Sequence, residues 1–152
     1  MPEAAALPPT PIRILSQTVF FAGLTTEQLE RISSISRFEE WEEGRQIYNI
    51  GEPAKVLYVL IEGMVRFAIG YGTRNASAGD ILRRGQVFGW AALTPRANLR
   101  IATASCLTSS TVLAIDGDSL LSLMEEDHTM GYRIMQQFSL LITGTLTAFA
   151  AG

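Results

Sequence analysis

The residues best suited to chemistry lie in one stretch, Gly85-Gln86-Val87-Phe88-Gly89-Trp90-Ala91-Ala92-Leu93, and in Arg100, seven positions after Leu93. Two glycines flank an apolar Val/Phe pair, and the Ala-Ala-Leu run that follows predicts one helical turn. The start of a helical turn offers backbone N–H groups to an anion. An arginine facing it supplies a planar, permanently charged fork suited to phosphate or carboxylate. Such a pair binds an anionic small molecule and breaks no bond. By itself Arg100 also reads as a surface arginine at the start of a strand. Elsewhere the sequence holds no Ser/His/Asp set and no carboxylate dyad, so no enzyme activity is expected. His128, the single histidine, has no second imidazole or thiolate near it in sequence and is expected to face solvent, not a metal. Cys106 reads as a small buried hydrophobe in a strand.

The elements that must position this stretch can be read outward from it. Thr25 begins a helix as N-cap, with Gln28 completing a capping box and Leu24 and Leu29 spaced as a hydrophobic staple. From Arg37 the pattern turns to strands. Lys55 to Ile61 predicts a central strand, and Met64 to Ile69 returns from a Glu62-Gly63 turn as its hairpin partner. Gly70 to Gly79 reads as a loop or a weak exposed hairpin. After the central stretch, Arg100 to Ser105 and Ser110 to Ile115 predict two more strands. Short strands with turn signals at this spacing suggest a sandwich or jelly roll. Asp118 is the expected cap of a helix reaching Glu126, and Asp127 of a second helix reaching about Phe149. The second helix carries two apolar stripes. One holds Met130, Ile134, Phe138, Leu141 and Thr145, the other Met135, Ile142, Leu146 and Phe149, so it has two surfaces to pack against.

The expected fold is therefore α+β, mainly β. It is an antiparallel β-roll (a double-stranded jelly roll) over about 37–116, flanked by an N-terminal helix and two C-terminal helices over about 118–149. Residues 1–19 are expected to form a flexible N-terminal arm, and 20–152 the domain. The acidic run Glu39, Glu40, Glu42 and Glu43 reads as a solvated edge.

Composition bounds the function. Among 152 residues 47% are hydrophobic and only 18% charged, against about 25% charged in ordinary soluble domains. Some apolar surface is thus expected to be covered by a partner, a homodimer through the helix at about 128–149. A net charge of −3 argues against direct contact with nucleic acid. One cysteine excludes an internal disulfide and suits a reducing, cytoplasmic setting. Phe138 to Gly152 is too short for a membrane span of about 20 apolar residues, and no secretory signal opens the sequence.

The motif Gly89-x-Ala91-Ala92-Leu93 followed by Arg100-x-Ala102-Thr103 resembles the phosphate-binding cassette of cyclic-nucleotide-binding domains, the family of catabolite activator protein and Crp-Fnr sensor domains. The resemblance runs from about Phe20 to Phe149, with Gly51, Gly63, Gly85 and Gly89 at typical places. It implies a regulatory ligand-sensing domain for cAMP or cGMP that signals through its C-terminal helix. The implied ligand-binding set is Gly89, Trp90, Ala91, Ala92, Arg100, Ile101 and Ala102. Arg96 is an alternative phosphate ligand, because Pro95-Arg96-Ala97 also resembles the family's Pro-Arg-Ala.

The sequence departs from the family pattern in two ways. Trp90 stands where the family has a glutamate that accepts from the ribose hydroxyl, and an indole only donates. Trp90 could fill the pocket or stack on a purine. Ile101 crowds the cradle where a small or hydroxylated residue is usual. The alternative is a degenerate domain that binds no cyclic nucleotide and serves dimerisation or partner binding. No helix-turn-helix follows the last helix here, so the sequence reads as a sensor without an attached output domain. A soluble domain of a membrane protein is a third reading.

Overall fold

The computed structural model describes residues 9–71, 74–77, 81–94 and 98–151. Helix α1 (Pro11–Gln17) opens the described chain, with Thr10 accepting from the Arg13 amide as its cap and proline in its first turn, where a missing N–H costs nothing. Leu15 of this helix is fully buried. The flexible arm expected over 1–19 is thus too long, since burial of Leu15 ties the chain down from Pro11. A 3₁₀ turn (Val19–Phe21) follows and buries Phe20 and Phe21 edge to face. Helix α2 (Thr26–Ser33) begins with the expected capping box between Thr25 and Gln28.

Among the described residues eight strands follow: β1 (Ser36–Trp41), β2 (Gln46–Tyr48), β3 (Val56–Glu62), β4 (Val65–Tyr71), β5 (Arg74–Ser77), β6 (Val87–Phe88), β7 (Thr103–Cys106) and β8 (Ser110–Asp116). They form two four-stranded antiparallel sheets, ordered β1-β8-β3-β6 and β2-β7-β4-β5. The expected β-roll is present. The expected hairpin of β3 with β4 is not, because the two strands belong to different sheets. Strand β3 pairs with β8 and β6, while β4 pairs with β7 and β5. The reversal at Gly63 carries the chain across the roll. Gly63 has φ +104, and an added Cβ would lie 2.7 Å from the Ser109 carbonyl, so only glycine fits the crossing. The weak hairpin expected over 70–79 is described where β4 meets β5, from Ala68 opposite Ser77 to Tyr71 opposite Arg74.

Two C-terminal helices close the fold: α3 (Gly117–Glu126) and α4 (His128–Ala151). The cap of α3 is Asp116, which accepts from the Ser119 amide, and not Asp118, which lies in the first turn. The aspartate one residue before Gly117 is still extended at the end of β8, as an N-cap must be. Asp127 caps α4 as expected, accepting from the Met130 amide.

The interior divides in two. One cluster joins the helices to one sheet: Leu15, Phe21 and Ile32 meet Leu57, Val59, Leu113, Ile115, Leu120, Met130 and Ile134. The other fills the roll with Ile47, Tyr48, Tyr58, Leu60, Val65, Phe88 and Val112, and with Cys106. The short 3₁₀ turn after β6 sits between these two regions.

Candidate ligand-binding cassette

That turn spans Trp90–Leu93. Gly89 precedes it in the left-handed region, φ 78 and ψ 29. A Cβ on Gly89 would lie 3.0 Å from Arg100 Nη1, 3.0 Å from the Val56 carbonyl and 3.1 Å from the Tyr58 ring. Backbone conformation and space both require glycine there. Ala91 and Ala92 are buried with Ala54. Ala92 abuts Gly117, at which a Cβ would lie 2.9 Å from the Ala92 carbonyl and 3.0 Å from its Cβ. The two alanines are small because the turn lies directly on the starts of β3 and α3.

Arg100 is not a surface arginine; it is 5% exposed. Its backbone is held by the turn before β3, donating to the Glu52 carbonyl and accepting from the Gly51 amide, both at 2.8 Å. The expected strand from Arg100 to Ser105 begins only at Thr103. These bonds to Gly51 and Glu52 hold Arg100 outside the ladder and aim its side chain inward. Nη1 donates to the Gly89 carbonyl at 2.8 Å and Nη2 to the Val56 carbonyl at 2.7 Å. The guanidinium carbon stands 4.0 Å over the Tyr48 ring and 5.9 Å from that of Tyr58, a cation–π arrangement. Nε is buried and has no hydrogen-bond partner.

Burial lowers the Arg100 pKa from its ordinary value, with Tyr48, Tyr58 and Glu52 pulling the other way; arginine stays charged regardless. Burial likewise pushes the Tyr48 phenol up, opposed by Arg100, and raises that of Tyr58, helped by Glu39. The roll thus holds one fixed cation beside a set of stacked rings, with Tyr58 and Phe88 centroids 5.0 Å apart.

The expected site residues separate accordingly. Gly89 and Arg100 come together, Ala91 and Ala92 are buried in the turn beside them, and Ala102 is buried. Ile101 is 45% exposed. Arg96 lies outside the described residues. Trp90 neither fills the roll nor joins its rings. It packs with the helix-side cluster, its ring edge to face with Phe138 of α4, centroids 6.0 Å apart and planes at 83°. Tyr48, Tyr58 and the Val56 carbonyl complete the guanidinium's surroundings. Sequence reading missed all three, since Tyr58 lies in a continuous apolar run and Tyr48 in a three-residue strand. His128 is exposed and Cys106 buried, as expected. Among the described residues no His/Cys/Asp/Glu group could hold a metal, and no helix is long and apolar enough to cross a membrane.

Comparison with known proteins agrees with this fold. The family described as "Cyclic nucleotide-binding domain" matches residues 38–127, more than half of the chain. A Rhodopseudomonas palustris protein named "Putative potassium channel protein RPA4233" is 25% identical over 123 residues, 81% of this chain and 29% of its own length. The chain therefore spans under a third of that relative. A Geobacter metallireducens crystal structure, of a "Putative Cyclic nucleotide-binding protein", superposes with a TM-score of 0.77 at 25% identity, covering 91% of this chain and 98% of that one. Thermus thermophilus Catabolite Activator Protein superposes at 0.70 and 22% identity, over 84% of this chain and 58% of its own. The family is of the regulatory sensor type. With the β-roll, the glycine-led turn and its arginine in place, this chain belongs to the cyclic nucleotide-binding domain family.

Proposed function

We propose that the chain is a ligand-sensing domain that takes the phosphate of a cyclic nucleotide, cAMP or cGMP, at Arg100 and the Gly89–Ala92 turn, and signals through α4. The observation that carries this reading is the Arg100 Nε–H, a buried donor of a permanent cation left without a partner. Buried polar groups are almost always bonded, so an orphaned one on a charged group marks a place for an acceptor. The two carbonyl bonds through Nη1 and Nη2 hold the guanidinium still and leave its Nε edge as the fork for an anion. A fold alone does not assign a ligand; the orphaned donor is an observation at the site itself. Trp90 lies against Phe138 and not among Tyr48, Tyr58 and Phe88, which counts against a degenerate pocket filled by Trp90.

Exposed Tyr132, Met135 and Leu140 on α4 support a homodimer through that helix. A cytoplasmic location accords with a second-messenger ligand and a free Cys106. Calorimetric titration with cAMP and with cGMP tests the reading. Saturable binding that Arg100→Lys weakens at least tenfold supports it, because a point charge replaces the fork. No heat and no rise in melting temperature at millimolar nucleotide rejects it.

A further inference from the structure

The guanidinium of Arg100 is enclosed by groups of unequal freedom. Its Nη1 and Nη2 bond to the carbonyls of Gly89 and Val56, backbone groups fixed by the turn after β6 and by the start of β3. The Tyr58 ring stands on β3, a strand paired on both sides, and stacks on Phe88 with centroids 5.0 Å and planes 18° apart. Neither withdraws without opening the sheet. Tyr48 is held differently. It ends β2, a three-residue strand at the edge of its sheet, and the register against β7 shifts between Gln46 and Tyr48. Its ring lies on the guanidinium, 4.0 Å from the guanidinium carbon, with wider ring contacts to Tyr58 and Phe88 at 6.2 and 6.3 Å. Among the described residues its hydroxyl makes no hydrogen bond. Tyr48 is thus buried by packing alone, at the loosest position around the cation.

From this placement we infer that Tyr48 sets the affinity of the cassette: its ring occupies the face of the Arg100 guanidinium, and a cyclic nucleotide enters the roll by displacing it. The inference rests on the proposed function for the ligand. Arg100 Nε is buried, so an acceptor reaches it only when one of the surrounding groups withdraws. Tyr48 withdraws with least disruption, because a change from one staggered side-chain well to another lifts the ring off the cation and β2 is paired on one side only. Ring and ligand then compete for one surface, and whatever holds the ring in place opposes binding. A cation–π contact together with one aromatic pair corresponds to about 5- to 50-fold in affinity. The same competition selects the ligand by size. A nucleotide brings a sugar and a base to refill the roll, and an inorganic phosphate ion does not.

Calorimetric titration of cAMP into wild type, Tyr48→Phe and Tyr48→Leu tests the competition. Phenylalanine keeps the ring, and leucine keeps an apolar side chain with no π face. A Kd about 5- to 50-fold lower in the leucine variant than in either ring-bearing protein supports the inference, as does binding seen in the leucine variant alone. Equal or weaker binding by a folded leucine variant overturns the competition and leaves the ligand site standing. Binding by none of the three overturns the ligand site and the competition together. A second measurement needs no ligand and no leucine variant. With 3-fluorotyrosine at the four tyrosines, the Tyr48 fluorine resonance is assigned by its loss in Tyr48→Phe. A ring seated on Arg100 is expected to be protected from a soluble gadolinium chelate, in contrast to Tyr132, which is 67% exposed. A Tyr48 resonance broadened as strongly as that of Tyr132 overturns the inference, whether or not any nucleotide binds.

Discussion

Replacing Arg100 by alanine asks whether the buried guanidinium belongs to the fold as well as to the site. The side chain donates to the carbonyls of Gly89 and Val56 and covers the Tyr48 ring. Truncation leaves Gly89 with the Ala92 amide as a remaining donor, at 3.2 Å, so the main loss falls on the Val56 carbonyl. An orphaned buried acceptor costs about 1–3 kcal/mol. Losing the packed stem beyond Cβ, two methylenes at about 0.8 kcal/mol each, adds about 1.6 kcal/mol. Removing the unmet Nε–H returns about 1–3 kcal/mol, while desolvation of the ion and its attractions roughly cancel. The net is a loss of about 2 kcal/mol. With a urea dependence of about 2 kcal/mol per molar, the unfolding midpoint falls by about 1 M. Urea titration followed by tryptophan emission and far-ultraviolet dichroism reads it directly. Arg100→Lys can serve one carbonyl and is expected to lose about half as much. An alanine variant with an unchanged or higher midpoint refutes the anchoring and leaves Arg100 a free side chain.

Other consequences are simpler to test. Gly63→Ala places a Cβ against Ser109 and Ser110 at a positive φ; it is expected to cost more than about 2 kcal/mol, seen as a lost or strongly lowered thermal transition. Asp116→Ala removes the α3 cap at a cost of about 1 kcal/mol at neutral pH. Hydrogen bonds from Ser119 hold the Asp116 pKa below its ordinary value. Its contribution is therefore present above the unfolded-state pKa and fades as pH falls through the lower folded one, so wild type and variant should converge in stability in strong acid. Arg31→Ala breaks an exposed ion pair with Glu126 and should shift stability by less than about 1 kcal/mol in thermal melts.

Much of the architecture was legible because its signals are local. The Thr25–Gln28 box and the Asp127 cap depend on residues three apart, and both are present. The partner of β3 was not legible. Hairpin expectation rests on two apolar runs joined by a short turn, whereas the choice of sheet is made by burial across the roll, where β8 offers β3 a longer ladder. The cap of α3 slipped by two residues because Asp116 and Asp118 both satisfy the pattern, and only the extended backbone at the end of β8 distinguishes them. Arg100 was legible as a partner of the Gly89 turn. Its burial was not, since that depends on Gly51, Glu52 and Val56, all more than forty residues earlier in the chain.

The direction of Trp90 follows from a property of the turn that the sequence already contained. In a 3₁₀ turn residues i and i+3 eclipse, so position 90 projects on the side of position 93. Leu93 is fully buried in the helix-side cluster, as a leucine following two alanines in a short turn would be. A large apolar side chain at 90 must share that side, and Trp90 does. Placing it among the roll's rings would demand that the turn rotate by about a third of a revolution, which would pull Ala91 and Ala92 away from Ala54 and Gly117. At those contacts there is no room to spare. The short turn thus has its glycine end facing the guanidinium and its tryptophan facing α4, with close packing beneath the alanines fixing that orientation.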